Sequence, residues 1–229
     1  MIANRRPLRA VLASFAVVLS AGAAPESASP DLAPYLMPDR AAEIALARSA
    51  APKAVSDAAG VFVLTREGYV EAGKGTNGFV CLVARSFEGS LDDTASWWNP
   101  RVRAPHCLNA AAVRTVLPEM QRRAALVMKG LPATEVAKGI LEAYKKQELT
   151  APENGAMAYM LSPDQYLLDS NPHWMPHVMF YYGGGHKGAE WGAGGPDATI
   201  IDSGTDASGL MVLLIPVPRW SDGTPAAHH

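Results

Sequence analysis

The sequence predicts an α+β fold: an antiparallel sheet of about five to seven strands, with about two to four helices packed on one face. Three observations carry that expectation. Short apolar runs alternate with turn segments of two to six residues, a spacing that suits hairpins. A helical stretch separates one group of strands from another, and no internal repeat is visible. The 229 residues are 48% apolar and 18% charged, which excludes a disordered or fibrous chain and suits one domain.

The elements follow in order. Residues 24–38, rich in Pro, Ala and Ser, read as a flexible N-terminal arm. Asp39 can cap a helix whose apolar side is Ala42, Ile44, Ala45 and Leu46, and Pro52 stops it. Gly60–Leu64 reads as a buried strand, Glu67-Gly68 as a turn and Tyr69–Ala72 as a second strand. After the turn Thr76-Asn77-Gly78, Phe79–Ala84 reads as a third strand, so an antiparallel meander is expected. Asn109 is a plausible helix cap, and Pro118 kinks that helix or restarts it as a first-turn residue. Gly130 closes it. Pro132 opens another, with Val136, Ile140, Leu141 and Tyr144 at helical spacing. Strands return at Ala156–Leu161, Val178–Tyr182 and Leu210–Val217. A single α+β domain is therefore expected over 39–220, with a disordered C-terminal tail over 221–229.

The N-terminus predicts export. Arg5, Arg6 and Arg9 precede the uncharged apolar run Ala10–Ala21, and Ala21-Gly22-Ala23 supplies small residues for cleavage. The run is about a dozen residues where roughly 20 are needed to span a bilayer, so residues 1–23 read as a signal peptide with no membrane span after cleavage. The whole chain carries 20 basic and 22 acidic residues; without the leader the balance is 17 against 22, or −5. That mildly acidic balance excludes a polyanion partner such as nucleic acid. A periplasmic or secreted location follows, with an unknown small molecule or an envelope or extracellular partner.

In an oxidising compartment the pair Cys81 and Cys107 reads as a disulfide. Closing that loop stabilises the fold by about 3.5 kcal/mol. The close Cys-x-x-Cys spacing of a redox pair is absent, and two thiolates are too few for a structural zinc.

Two constellations carry candidate chemistry. His173, His177 and His186 could bind one divalent, zinc-like metal and activate water, with Glu190 as a possible base. Trp174 stands where a zincin has Glu, and Pro176 disfavours a helix there, so such a site would be borne on loops. The alternative is that these imidazoles bond locally at a strand entrance. Trp97-Trp98 could stack a ligand or contact a partner, or one ring could be buried under the disulfide loop. Seven glycines lie between Gly183 and Gly195, with Lys187, Glu190 and Trp191 among them, as in a mobile lid or a plain surface loop. Neither a phosphate loop nor a serine-hydrolase elbow is present.

Gly75-Thr76-Asn77-Gly78-Phe79-Val80-Cys81 and the later Pro176-His177-Val178-Met179-Phe180-Tyr181 together resemble two segments of an uncharacterised family of secreted bacterial proteins. Tyr159-Met160-Leu161-Ser162 and the closing apolar strand fit in order, whereas the glycine-rich segment after Tyr182 departs from the pattern. The resemblance implies an exported single domain with a Cys81–Cys107 bridge, and it implies no activity. The expected function is a non-catalytic ligand- or partner-binding domain without a cofactor, acting through Trp97, Trp98, His177, Tyr181 and Trp191. The alternative is a metal-dependent hydrolase using the His cluster.

Overall fold

The computed structural model describes residues 29–226; the predicted leader, the start of the arm and the last three residues lie outside the described residues. Eight strands form one sheet: β1 (Gly60–Thr65), β2 (Gly68–Gly73), β3 (Val80–Ala84), β4 (Ala104–Leu108), β5 (Met157–Met160), β6 (His177–Tyr182), β7 (Ile201–Thr205) and β8 (Met211–Pro216). Their spatial order is β2-β1-β3-β4-β5-β6-β8-β7. Among the described residues the five helices are α1 (Arg40–Arg48), α2 (Lys53–Ser56), α3 (Ala110–Thr115), α4 (Leu117–Met128) and α5 (Ala133–Lys145). The α+β class holds, but the sheet is mixed and exceeds seven strands.

The parallel pair is β1 with β3. Short loops do not forbid it, because β2 itself is the return path between them. Segment 74–79 then passes across the start of β1, where Thr76 N–H donates to the Ala58 carbonyl at 2.8 Å. Gly75 makes that crossing possible: a Cβ there would lie 2.1 Å from the Gly60 nitrogen. The other strand pairs are antiparallel.

Two strands were hidden in the sequence. β4 contains Pro105, but Arg103 exchanges both backbone bonds with Tyr166, so Pro105 turns its nitrogen to that same side. There β5 pairs only Cys107 and Leu108, and no ladder bond is lost. β7, with Asp202-Ser203-Gly204, reads as a turn and is a polar edge strand with a bulge.

Helices lie on both faces rather than one. Cys81, Val83 and Cys107 point to the face of α1 and α2, packing with Ala47, Ala50 and Ala51. Leu82, Ala84 and Leu108 alternate to the other face, under Ala112, Met120, Ala124 and Ile140 from α3–α5. A strand buried on both faces has no polar alternation to announce which side its helices take. Cys81 and Cys107 sit directly opposite across β3 and β4 and are bonded. The expected caps are in place: Asp39 Oδ1 accepts from Ala41 N–H at 2.8 Å, and Asn109 Oδ1 from Ala112 N–H at 3.0 Å. Pro118 lies in the first turn of α4.

The described part of the arm is not free. Tyr35, in a short 3-10 turn, is buried against Phe87. It is held by Arg85, whose Nε donates to the Tyr35 carbonyl at 2.7 Å. Residues 219–225 likewise close into a small hairpin rather than a loose tail, with Trp220 N–H bonded to the Thr224 carbonyl.

Candidate functional site

The helix layer of α3–α5 packs chiefly on strands β2, β4 and β5. Beside its edge lies a cleft of about 870 Å³. The size suits a small organic ligand. Strand alternation lays Met160, Met179, Tyr181, Val212 and Leu214 along the floor. Val116, capping α4, and Glu119, Met120 and Arg123 within it form one wall, and the 3-10 turn Ser86–Glu88 with the following loop forms another.

At the mouth, Leu167–Ser170 borders the cleft, and Leu168 is one of two large apolar side chains exposed among the described residues. Asp169 ties this segment to the opposite loop. Its Oδ1 accepts from Asn99 Nδ2 and from the Tyr166 hydroxyl, both at 3.0 Å, and its Oδ2 pairs with Arg101. The Asn99 and Tyr166 bonds hold its carboxyl below the usual range.

One end of the cleft is acidic. Arg123 pairs with Glu119 one helical turn back and donates through Nη1 to the carbonyls of Phe87 and Gly89. Its guanidinium lies 5.1 Å from the Trp97 ring centroid, a cation–π contact that fixes its plane. The second carboxylate, Glu88, stands 4.0 Å from Arg123 Nε. That side chain is 9% exposed, and both its Oε1 and Arg123 Nε are buried without a hydrogen-bond partner. Burial, with Glu119 alongside, pushes the Glu88 carboxyl well above the usual carboxylate range despite Arg123 and Arg85. Asp206 adds another negative charge facing Arg123, while its Oδ1 holds its own turn through Ser208 and Leu210.

His106, on β4, also lines the cleft. Its Nδ1 donates to the Ala104 carbonyl at 2.7 Å, which leaves Nε2 as an unprotonated acceptor. Burial lowers its pKa to about 4.

Of the residues read from the sequence, Tyr181 is on the cleft floor. His177 shares its face but is buried at the strand entrance, with Nδ1 bonded to the Met175 carbonyl at 2.8 Å and its ring 4.9 Å from Trp174. Trp97 is fully buried in the core, its Nε1 donating to the Ser90 carbonyl, and Trp98 packs edge-on to Tyr35. Trp191 is exposed and packs at a tilt against Tyr182, ring centroids 4.5 Å apart, on the opposite face of β6 from Tyr181. His173, His177 and His186 are not brought together. His177 opens β6 and His186 lies beyond its far end, so about 17 Å of strand separates their surroundings. His186 bonds instead to Glu190 at 3.0 Å. Among the described residues, no group of three His, Cys, Asp or Glu is placed to hold a metal ion.

Sequence reasoning missed Glu88, Glu119, Arg123, His106 and Asp206. One signal was present: Glu119 and Arg123 fall, four apart, within the helical stripe Met120, Ala124 and Val127, where a charge is unexpected. No protein-family model, curated protein or solved structure matches the chain.

Proposed function

We propose that this is an exported, non-catalytic binding protein that takes a small amphipathic molecule in the cleft between the sheet and α4. The observation that carries the reading is the cavity itself: a floor of methionine, aliphatic and tyrosine side chains with convergent polar groups at one end. The Cys81–Cys107 bridge supports an oxidising compartment. No helix among the described residues is long and apolar enough to cross a membrane.

A neutral fluorescent probe, N-phenyl-1-naphthylamine, tests the site. One-to-one binding is expected in the wild type, weakened more than about tenfold by Val212→Trp, which fills the floor. Trp191→Ala should leave binding unchanged. Loss with Trp191→Ala and none with Val212→Trp would move the site to the Tyr182–Trp191 surface.

A further inference from the structure

We infer that the acidic end of the cleft takes the ammonium head of an alkylamine-type ligand at Glu88, with the ligand's apolar body lying over Met120, Met179 and Val212. This rests on the cleft being a binding site and adds the charge and polarity of what enters it.

Four acids line the cleft (Glu88, Glu119, Asp169 and Asp206), and only two arginines do. Neither arginine has a terminal nitrogen left for an anion, and Arg123 Nε already faces Glu88. Arg85 spends its nitrogens on Tyr35, Val83 and Glu43, and Arg123 spends its terminal nitrogens on Glu119, Phe87 and Gly89. No lysine lines the cavity. Asp169 is matched by Arg101 at the mouth. Glu88 is the carboxyl whose nearest cation, Arg123 Nε at 4.0 Å, stands beyond hydrogen-bond reach; its Oε1 has no hydrogen-bond partner, and the side chain is nine-tenths buried at the cleft wall.

A buried carboxyl short of close cationic contacts favours its protonated form, and one that gains a directly bonded cation ionises. The groups facing Glu88 are Arg123 and Glu119 from α4, Arg85 from the end of β3, Tyr69 from β2 and Tyr181 from β6. The neighbouring 3-10 turn, Thr94–Trp98, brings no charged side chain. An ammonium group would therefore supply the missing positive charge, and the Glu88 proton would pass to the buffer as it binds. His106 Nε2, an acceptor, suits a second N–H or O–H donor on the same ligand.

Titration calorimetry with octylamine, octan-1-ol and octanoate, in two buffers of different ionisation heat, decides the matter. Octylamine should bind about tenfold or more tighter than octan-1-ol, the advantage of a charge-assisted contact, and octanoate should bind weakest. Amine binding should release protons over the pH range in which the free protein keeps Glu88 protonated, and should tighten as pH rises through that range. Glu88→Gln should reduce amine affinity to about that of the alcohol and abolish the release. Equal affinity of amine and alcohol, or amine binding without proton release in the wild type, overturns the inference and leaves the cleft reading standing. If none of the three binds while N-phenyl-1-naphthylamine does, the inference falls alone. If the dye fails too, both fall.

Discussion

Among the described residues two arginines are buried against carboxylates, and they are opposites. Arg85 and Glu43 have side chains 0% and 2% exposed, and they are matched one to one at 2.7 Å. β1 and β3 pair only at Gly60–Val80 and Val61–Cys81, and beyond that the pair fills the seam. Glu43 Oε1 also accepts Leu64 N–H at 3.1 Å, and Arg85 satisfies the Val83 and Tyr35 carbonyls. Around Arg123 there are two carboxylates for one guanidinium, with an unpartnered oxygen and an unpartnered nitrogen. The first cluster closes a gap in the sheet. The second is left incomplete beside a cavity. Saturation of hydrogen-bonding capacity separates a structural ion pair from a site.

Breaking the closed pair should have the largest effect. Arg85→Met leaves Glu43 buried and uncompensated, and should cost about 3–5 kcal/mol in urea unfolding. Arg85→Met with Glu43→Leu should recover most of that loss. A single-variant loss under about 1 kcal/mol would erase the contrast between the clusters.

An intermediate effect is expected at His106, between the two. Its pKa in the folded protein, about 4, lies below the ordinary value of 6.5, so folding favours the neutral ring. Its stabilising contribution is complete above about pH 6.5 and is lost as pH falls towards 4. His106→Asn should remove about 1–2 kcal/mol of acid sensitivity over that window, since water in the open cleft screens the ring. His177, whose pKa burial also lowers, should retain its share. An unchanged acid limb in thermal melts would show that His106 does not meet the protein interior.

The smallest effect has the opposite sign. The Glu88 carboxyl is raised in the folded state, so its ionisation opposes folding as pH climbs from the ordinary carboxylate range through the folded value. Glu88→Gln should stabilise by about 1 kcal/mol, or roughly 2–4 °C, at alkaline pH, and the gain should vanish near pH 4. The same substitution at Glu43 should instead destabilise at neutral pH, because it removes one charge of a matched, buried pair. If both substitutions behave alike, the distinction between matched and unmatched carboxylates is wrong.

The legible part of the fold was local. Asp39 and Asn109 announced their helices, Pro118 its restart, and most strands showed as apolar runs. Pro105 concealed β4, because its harmless direction depends on where β5 ends. The Asp202-Ser203-Gly204 stretch concealed β7, because edge strands are kept polar. The cleft was nearly illegible. Trp97, Trp98 and the histidines drew attention through their residue types, yet Trp97 acts from beneath, by holding Arg123 in place.

By itself the sequence determined the α+β class, the helix caps, the pairing of its two cysteines and most strand positions. Each is written in contiguous residues or in composition, where backbone preference and burial act over a few positions. Only the tertiary structure decided that β3 runs parallel to β1, that helices take both faces, and that Glu88 meets Arg123 while His177 and His186 stay apart. Those outcomes depend on which distant segments share a desolvated space. Desolvation sets charge and hydrogen-bond demand by what surrounds a group, whatever its neighbours in the chain.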